Sequence, residues 1–546
     1  MKKHILYPLL ATTLLFGACS KDFLDRTPAN NVPNDQFWHN ESEVNLALNA
    51  VYNKLSEATY EDGGSELVHA KNPWESWVTD VSSGAVSSTL ESGWDYKPIR
   101  ICNFFLDNVD KAVMDVKLKE RYKAEARFVR AFLYIPMVQK FGDIPLVTKV
   151  LTKEESNVPR TSKKEVLDFL FKELQDVATV LPISYSAAES GRITKGAALA
   201  LQSRLYLMEN NWEKAALTAQ EVMALGYSLF KVNAESDLDK KDNYAQFIDF
   251  ANADDENNFR LGLRSYEGVF HVENEGNSEV ILDRQYIAVT QSHITNTLLL
   301  DPSVGGWSSL TPTQNLVNLY VDYKTGKPVI PVSAEVRATN YSKADKADFV
   351  KEFKNRDPRF YASILFETAP WNSLTKSGGY VYKWFVGNDP NKSLTGYNFR
   401  KLVDPKSNRE QIDSYANLIL IRYAEVLLNY AEAQNEKSGP DATIFDALDQ
   451  LRVRVGMPKI DRSEYASQDK LRQLIRNERA VELVLEGLRF YDIRRWKTAP
   501  DVMKNIYNIT NGLAQERVWN DRLYLMPVPQ SQIDLSYGVL KQNSGY

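Results

Sequence analysis

Apolar residues recur at helical spacing along most of this chain, with one long interruption in the middle. Val44, Leu48, Val51 and Leu55 share a face and predict a helix over Glu43–Ala58. The same reasoning predicts helices over Lys97–Val113, Leu118–Lys140, Lys163–Leu181, Lys195–Met208 and Trp212–Leu225. Pro136 is placed to kink Leu118–Lys140, and Gly142, Pro145 and Pro182 stand where helices close. Across Asn210-Asn211, small residues (Ala197, Ala200, Ala215, Ala216, Ala219) alternate with Leu201, Tyr206 and Trp212, as in packed tetratricopeptide units.

From about 230 to 402 the helical rhythm gives way to Gly, Asn, Asp, Ser and Tyr. Only Thr313–Asp322, opened by Pro312, reads as a helix there. The stretch is expected to form loops and small strands draped on a helical scaffold, and a loop region of that length is usually functional. Helices return over Leu418–Glu436, Ala442–Val455 and Leu471–Trp496. The fold class is therefore mainly α, a TPR-like helical scaffold with a long loop-rich inserted region.

The N-terminus is different in kind. Lys2 and Lys3 precede an apolar run from Ile5 to Phe16, then Gly17-Ala18-Cys19. This is a secretory signal, too short to span a bilayer. Cys19 stands where a bacterial lipoprotein carries its lipid, although Phe16 occupies a place where Leu is usual. The chain has two cysteines; with Cys19 acylated, Cys102 has no disulfide partner and reads as a buried thiol on a helix face. Residues 1–18 are then the signal peptide and 19–40 a tether and extended lead-in. The helical part covers 41–229, the loop-rich ligand-binding region 230–402 and the C-terminal helical part 403–546, all in one globular unit.

The Leu471–Trp496 stretch carries unusual charge. Glu478, Glu482 and Glu486 fall on one stripe of the predicted helix, with the charged residues Arg479, Arg489, Asp492, Arg494 and Arg495 close by and the arginines near enough to pair with them. No His or Cys is close by to complete a transition-metal set. The expectation is an ion-pair girdle between packed helices rather than a catalytic cluster.

Composition narrows the function. A net charge of −5 argues against nucleic acid as a partner. The 28 Tyr and 10 Trp exceed what a core needs and suggest a recognition surface. No G-x-S-x-G, H-E-x-x-H, P-loop or C-x-x-C motif occurs, and His39, His69, His271 and His293 are isolated. The chain is read as a non-enzyme without a cofactor. Asp237, Asp239 and Asp242 are the candidates for calcium, but their loop has neither the glycine nor the closing glutamate of a calcium loop and reads as a solvated charge run. Trp307, in VGGWSSLTPTQ, follows two glycines that give it no side-chain cover, so it is the leading platform residue. The competing reading makes it a plug beneath its loop.

Several ordered motifs carry a family resemblance. They are Glu478-Arg479, Glu482-Leu483, Glu486-Gly487, Arg489, Asp492 and Arg494-Arg495-Trp496; Ala124–Phe128 with Phe141-Gly142-Asp143-Ile144-Pro145; Arg422, Ala424-Glu425, Leu428-Asn429 and Ala431-Glu432-Ala433; and Tyr524–Pro529 with Gln542–Tyr546. Together they resemble the SusD/RagB family of surface lipoproteins, and Lys21-Asp22 after Cys19 is similar to the family's surface-export signal. The resemblance implies an outer-membrane lipoprotein, anchored at the surface through Cys19, that hands a glycan to a SusC-like TonB-dependent transporter. Its alternatives are an oligopeptide ligand, as in RagB-like members, or a surface hydrolase. The resemblance also places ligand-binding aromatics at Trp307, Tyr286, Trp74 and Trp77, with Trp371 and Trp384 in reserve. Trp94, Trp212 and Trp496 are assigned to the core.

Overall fold

Side-chain caps set the ends of the N-terminal helices. In the computed structural model, which describes residues 37–56, 59–384 and 387–546, Asn40 accepts from the Glu43 amide to open Glu41–Tyr52. Ser162 and Glu165 form a reciprocal capping box at the start of Lys163–Val180. Pro136 lies inside Val116–Phe141 without ending it, and Gly142, at φ 73°, closes that helix. Cys19, the signal segment and the tether up to residue 36 lie outside the described residues.

The helices pack in a chain of neighbours. Val116–Phe141 lies on Lys163–Val180, which lies on Lys195–Met208 and through it on Trp212–Met223. Tyr423–Ser438 packs against Trp212–Met223 and also against Ala442–Arg454 and Gln468–Glu482. Ala197, Ala200, Ala215, Ala216 and Ala219 are all buried at these contacts, so backbones approach closely. The fold is mainly helical and TPR-like, and one large apolar core runs through this stack.

Among the described residues, strands are short and paired two by two, all antiparallel. β1 (Val68–Ala70) pairs with β3 (Leu310–Pro312), and β2 (Val280–Arg284) with β6 (Leu418–Arg422). β4 (Ile364–Leu365) pairs with β5 (Asn398–Phe399), and β7 (Ile506–Tyr507) with β8 (Leu513–Gln515). The β1–β3 pair joins the N-terminal part of the chain to the middle segment.

The middle segment is loop-rich, as its composition predicts, but it also holds a helix that composition did not announce, Ala253–Glu267. It is built around a second apolar core, dense in Phe and Tyr, that takes Val68 and Val78 from one side and Val481 and Val484 from the other. Trp371 is fully buried there, so it is a core residue rather than a reserve platform. Trp94 is buried too, though in a loop and not a helix, while Trp212 and Trp496 are half-buried.

Two helix predictions need correction. Leu418–Glu436 begins as β6 and becomes a helix only at Tyr423, because the LILIR run finds a strand partner in β2. Leu471–Trp496 is two helices, Gln468–Glu482 and Arg489–Arg495. The break holds Leu485 at φ 66° and Gly487 at φ 74°. It is secured by buried Asp62, whose carboxylate accepts from the amides of Arg489 at 3.0 Å and Gly487 at 3.4 Å.

The girdle expected of the glutamate stripe is present, but its partners come from elsewhere in the chain. Glu478 pairs with Arg359 at 2.9 Å and Arg452 at 2.8 Å. Glu482 pairs with Arg359, Arg422 and Arg454 at 3.0, 2.7 and 2.5 Å, and Glu486 with Arg422 and Lys401 at 2.7 Å each. The nearby cations turn away: Arg479 pairs with Asp492, Arg489 with Glu66, and Arg495 with Glu432 and Asp492, while Arg494 donates to the carbonyls of Phe490 and Leu523. Burial pushes the Glu482 carboxyl up, but Arg454, Arg422 and Arg359 outweigh it and hold it well below the usual carboxylate range.

Asp242 also departs from its reading as a solvated charge. It is buried, pairs with Arg264 at 2.8 Å and accepts from the Asn372 amide, whereas Asp237 stays exposed beside Lys240. Among the described residues no group of three or more His, Cys, Asp or Glu is poised to hold a metal ion.

Candidate functional site

The Trp307 loop is rigid in its backbone and open at its side chain. Asp301 accepts from the Ser303 amide at 2.9 Å and from the Tyr380 hydroxyl, fixing the loop's first turn. Gly305 sits at φ 84°, a left-handed conformation that suits glycine. Gly306 is required by contact, since a Cβ there would stand 1.9 Å from the Leu300 carbonyl oxygen. The Trp307 amide donates to Thr297 at 2.7 Å and the Ser308 amide to Leu300 at 3.0 Å. With the main chain pinned, Trp307 is left 39% exposed.

The loop after β1 lies alongside. The Lys71 amide continues the β1–β3 ladder to the Ser309 carbonyl at 2.9 Å. Glu75 Oε1 accepts from the Asn72 side chain at 3.0 Å and from Ser309 Oγ at 2.9 Å. Trp74, between them, is 81% exposed. Lys71 Nζ donates to the carbonyls of Trp307 and Pro390, each at 2.8 Å, so a third loop joins. That third loop follows Trp384, which is half-buried, donates from its indole nitrogen to the Ser393 carbonyl and meets Tyr341. Burial pushes the Lys71 ammonium below its ordinary value, with Glu75 and Asp389 pulling the other way.

The four aromatics named from the sequence therefore do not form one group. Trp74 and Trp307 belong to loops bonded to each other and are the two exposed members of the four. Trp77 turns inward: its ring meets Phe490 edge-on at 5.3 Å and carries the Lys140 ammonium at 4.9 Å. Tyr286 sits at a separate cleft, half-buried, against His293 at 4.5 Å and under the Arg284 guanidinium at 5.1 Å. Lys71 and the 387–392 loop were missed by sequence reasoning. The one signal available was a lysine directly before the NPWESW loop.

Chemically, the ledge offers flat apolar faces beside fixed polar groups. Indoles stack on apolar C–H faces, and the Lys71 ammonium, Glu75 and the pinned carbonyls supply donors and acceptors for hydroxyls.

Comparison with known proteins agrees with this architecture. A family model described as the SusD family matches residues 266–546. The chain belongs to the SusD family. A second model, described as starch-binding associating with outer membrane, matches residues 22–207 of this SusD-family chain. A crystal structure of a SusD-like protein from Bacteroides fragilis is 30% identical, covers 95% of this chain and 100% of that one, and superposes with a TM-score of 0.80. A SusD-like carbohydrate binding protein from the same organism is 26% identical over 92% of this chain and 99% of its own, with a TM-score of 0.74. SusD-like protein P2 of Formosa agariphila is 26% identical over 100% of both chains. Among the described residues of this SusD-family protein, no helix is long and apolar enough to cross a membrane.

Proposed function

We propose that this SusD-family protein is a non-catalytic surface lipoprotein that captures an oligo- or polysaccharide and delivers it to a SusC-like TonB-dependent transporter. The observation that carries the binding part is the ledge: Trp74 and Trp307 exposed on two loops that Lys71 and Glu75 hold together. An exposed indole on a backbone this constrained is organised for stacking before any ligand arrives, which lowers the cost of binding. The carbohydrate-binding relative at 26% identity and the starch-binding family description support a glycan as the ligand. Acylated Cys19 anchors the protein to the outer membrane. Docking on the transporter supplies a contact in addition to the lipid.

A glycan array set against a peptide panel tests the reading. Saccharide binding without turnover is the expected result. Binding to peptides alone, or hydrolysis of a bound glycan, contradicts it.

A further inference from the structure

A cavity of about 350 Å³ lies where the Val116–Phe141 and Lys195–Met208 helices meet β6 and the break before Arg489–Arg495. It shares no lining residue with the tryptophan ledge or the Tyr286 cleft. Its volume is at the small end of the range of ligand sites. Leu133, Met137, Leu201, Met208, Leu418 and Leu420 supply apolar lining, and Glu61, Lys140, Arg204, Glu486 and Tyr491 supply polar lining.

The charges in that lining are already answered. Lys140 Nζ donates to Glu61 Oε1 at 3.0 Å and lies over the Trp77 ring. Arg204 pairs with Glu425 at 2.6 Å, and Glu486 with Arg422 and Lys401 at 2.7 Å each. An ionised ligand would therefore enter without a counter-ion, and an unpaired buried charge is costly.

Two polar atoms are left over. Glu61 Oε2 and the Tyr491 hydroxyl are buried and make no hydrogen bond of normal geometry to any described residue. They are neighbours: burial, and then the Glu61 carboxylate, push the Tyr491 hydroxyl well above its ordinary value. Buried polar atoms are normally satisfied, so this pair calls for an occupant. The carboxylate oxygen accepts, and the phenol has a proton to give. One ligand hydroxyl answers both, donating to Glu61 and accepting from Tyr491.

The backbone around the cavity is irregular in three segments. Leu402 holds φ 68° and Leu485 φ 66°, and both line the cavity. A leucine in the left-handed region sets its Cβ against a backbone carbonyl, and such strain gathers at ligand sites. Pro136 has no amide to give the Phe132 carbonyl one turn back, and these two residues also line the cavity.

We propose that this cavity binds a small neutral amphipath, an aliphatic chain ending in one hydroxyl, with the hydroxyl held between Glu61 and Tyr491. An apolar cavity of roughly 150 Å³ holds benzene, so this one has room for a body of about eight carbons. The test titrates 1-alkanols from butanol to octanol into the protein by calorimetry, with octanoate and octylammonium as charged controls. Affinity is expected to rise about fourfold per methylene, and the charged controls to bind roughly tenfold more weakly than 1-octanol or worse. Tyr491→Phe should weaken 1-octanol about tenfold. Leu133→Trp, at a half-buried position, should fill the cavity and abolish binding; thermal melts check that both variants fold. In wild type, 1-octanol should also slow hydrogen exchange at the 485–489 amides. Absence of saturable 1-octanol binding to wild type would leave water as the occupant and overturn the site. Octanoate binding as tightly as 1-octanol overturns the neutral chemistry, and 1-octanol affinity unchanged in both variants overturns the location.

Discussion

Lys71 Nζ donates to the carbonyl oxygen of Trp307 at 2.8 Å, across 236 positions of sequence. The same nitrogen reaches the carbonyl of Pro390 at 2.8 Å. One half-buried cation therefore ties the loop carrying Trp74, the loop carrying Trp307 and the 387–392 loop into a single surface. Hydrogen bonds made by a charged group contribute roughly 1.5–3 kcal/mol each, so the tie is strong for its size.

Replacing Lys71 by Met keeps the stem and removes the donors. Glycan affinity is expected to fall about tenfold, with the melting temperature lowered by only a few degrees. Lys71→Arg keeps donors and should recover part of the affinity. Hydrogen exchange at the 303–309 and 387–393 amides should rise together in Lys71→Met without any ligand. Unchanged exchange in both loops would show that Lys71 does not hold them.

The glutamate girdle is a matter of stability. Glu482 faces three arginines in the interior, and Glu482→Ala strands them, at a cost of roughly 3–5 kcal/mol. Denaturant unfolding measures this loss. Affinity in the protein that remains folded should hardly move, because the network lies away from the ledge; lost binding with unchanged stability would relocate the site.

Asp62 makes stability depend on pH. Burial raises its carboxyl from 3.8 to about 7, against the hydrogen bonds from the Arg489 and Gly487 amides. The folded state therefore holds a proton that the unfolded chain releases. The stability this contributes is fully present below about pH 4 and is lost as pH rises to about 7. Melting curves of Asp62→Asn against wild type should show the variant gaining on wild type across that window. A constant difference between the two proteins would rule out the linkage.

Much of the scaffold was legible in the sequence because helices declare themselves locally. Lys195–Met208 has the bounds its apolar spacing predicts. Leu418–Arg422 was misread because a short apolar run has no period of its own, and its strand partner lies far away at Val280–Arg284. The break at Leu485 was hidden for a similar reason: a leucine at positive φ has no compositional sign, and the carboxylate that secures it is Asp62. The glutamate stripe was visible, but its partners at Arg359, Lys401, Arg422 and Arg454 are set by tertiary packing. At the site, two glycines announced an exposed Trp307, whereas the lysine before NPWESW carried no sign of which distant loop it would reach. Tyr286 and Trp307, near in sequence, are parted by the Thr295–Leu299 helix into cleft and ledge.

The proposed anchoring rests on Cys19, which lies outside the described residues. Cys19→Ala should abolish acylation and move the protein from membranes to the soluble fraction in cells lacking the transporter. Fractionation with immunoblotting reads this out, and a variant that stays with the membrane speaks against lipid attachment at Cys19.

The most direct measurement is calorimetric titration of Trp307→Ala with a saccharide that binds wild type, paired with a thermal melt of the same sample. The indole is held at the surface by a backbone that does not depend on it, through the amides of Trp307 and Ser308 and the contact of Gly306 on Leu300. The variant should melt within a few degrees of wild type and bind more than tenfold more weakly, a loss of about 2 kcal/mol expected of a stacking hot spot. Affinity retained while the melting temperature collapses, as when a core plug costing roughly 3–5 kcal/mol is removed, would contradict the ledge as the binding surface.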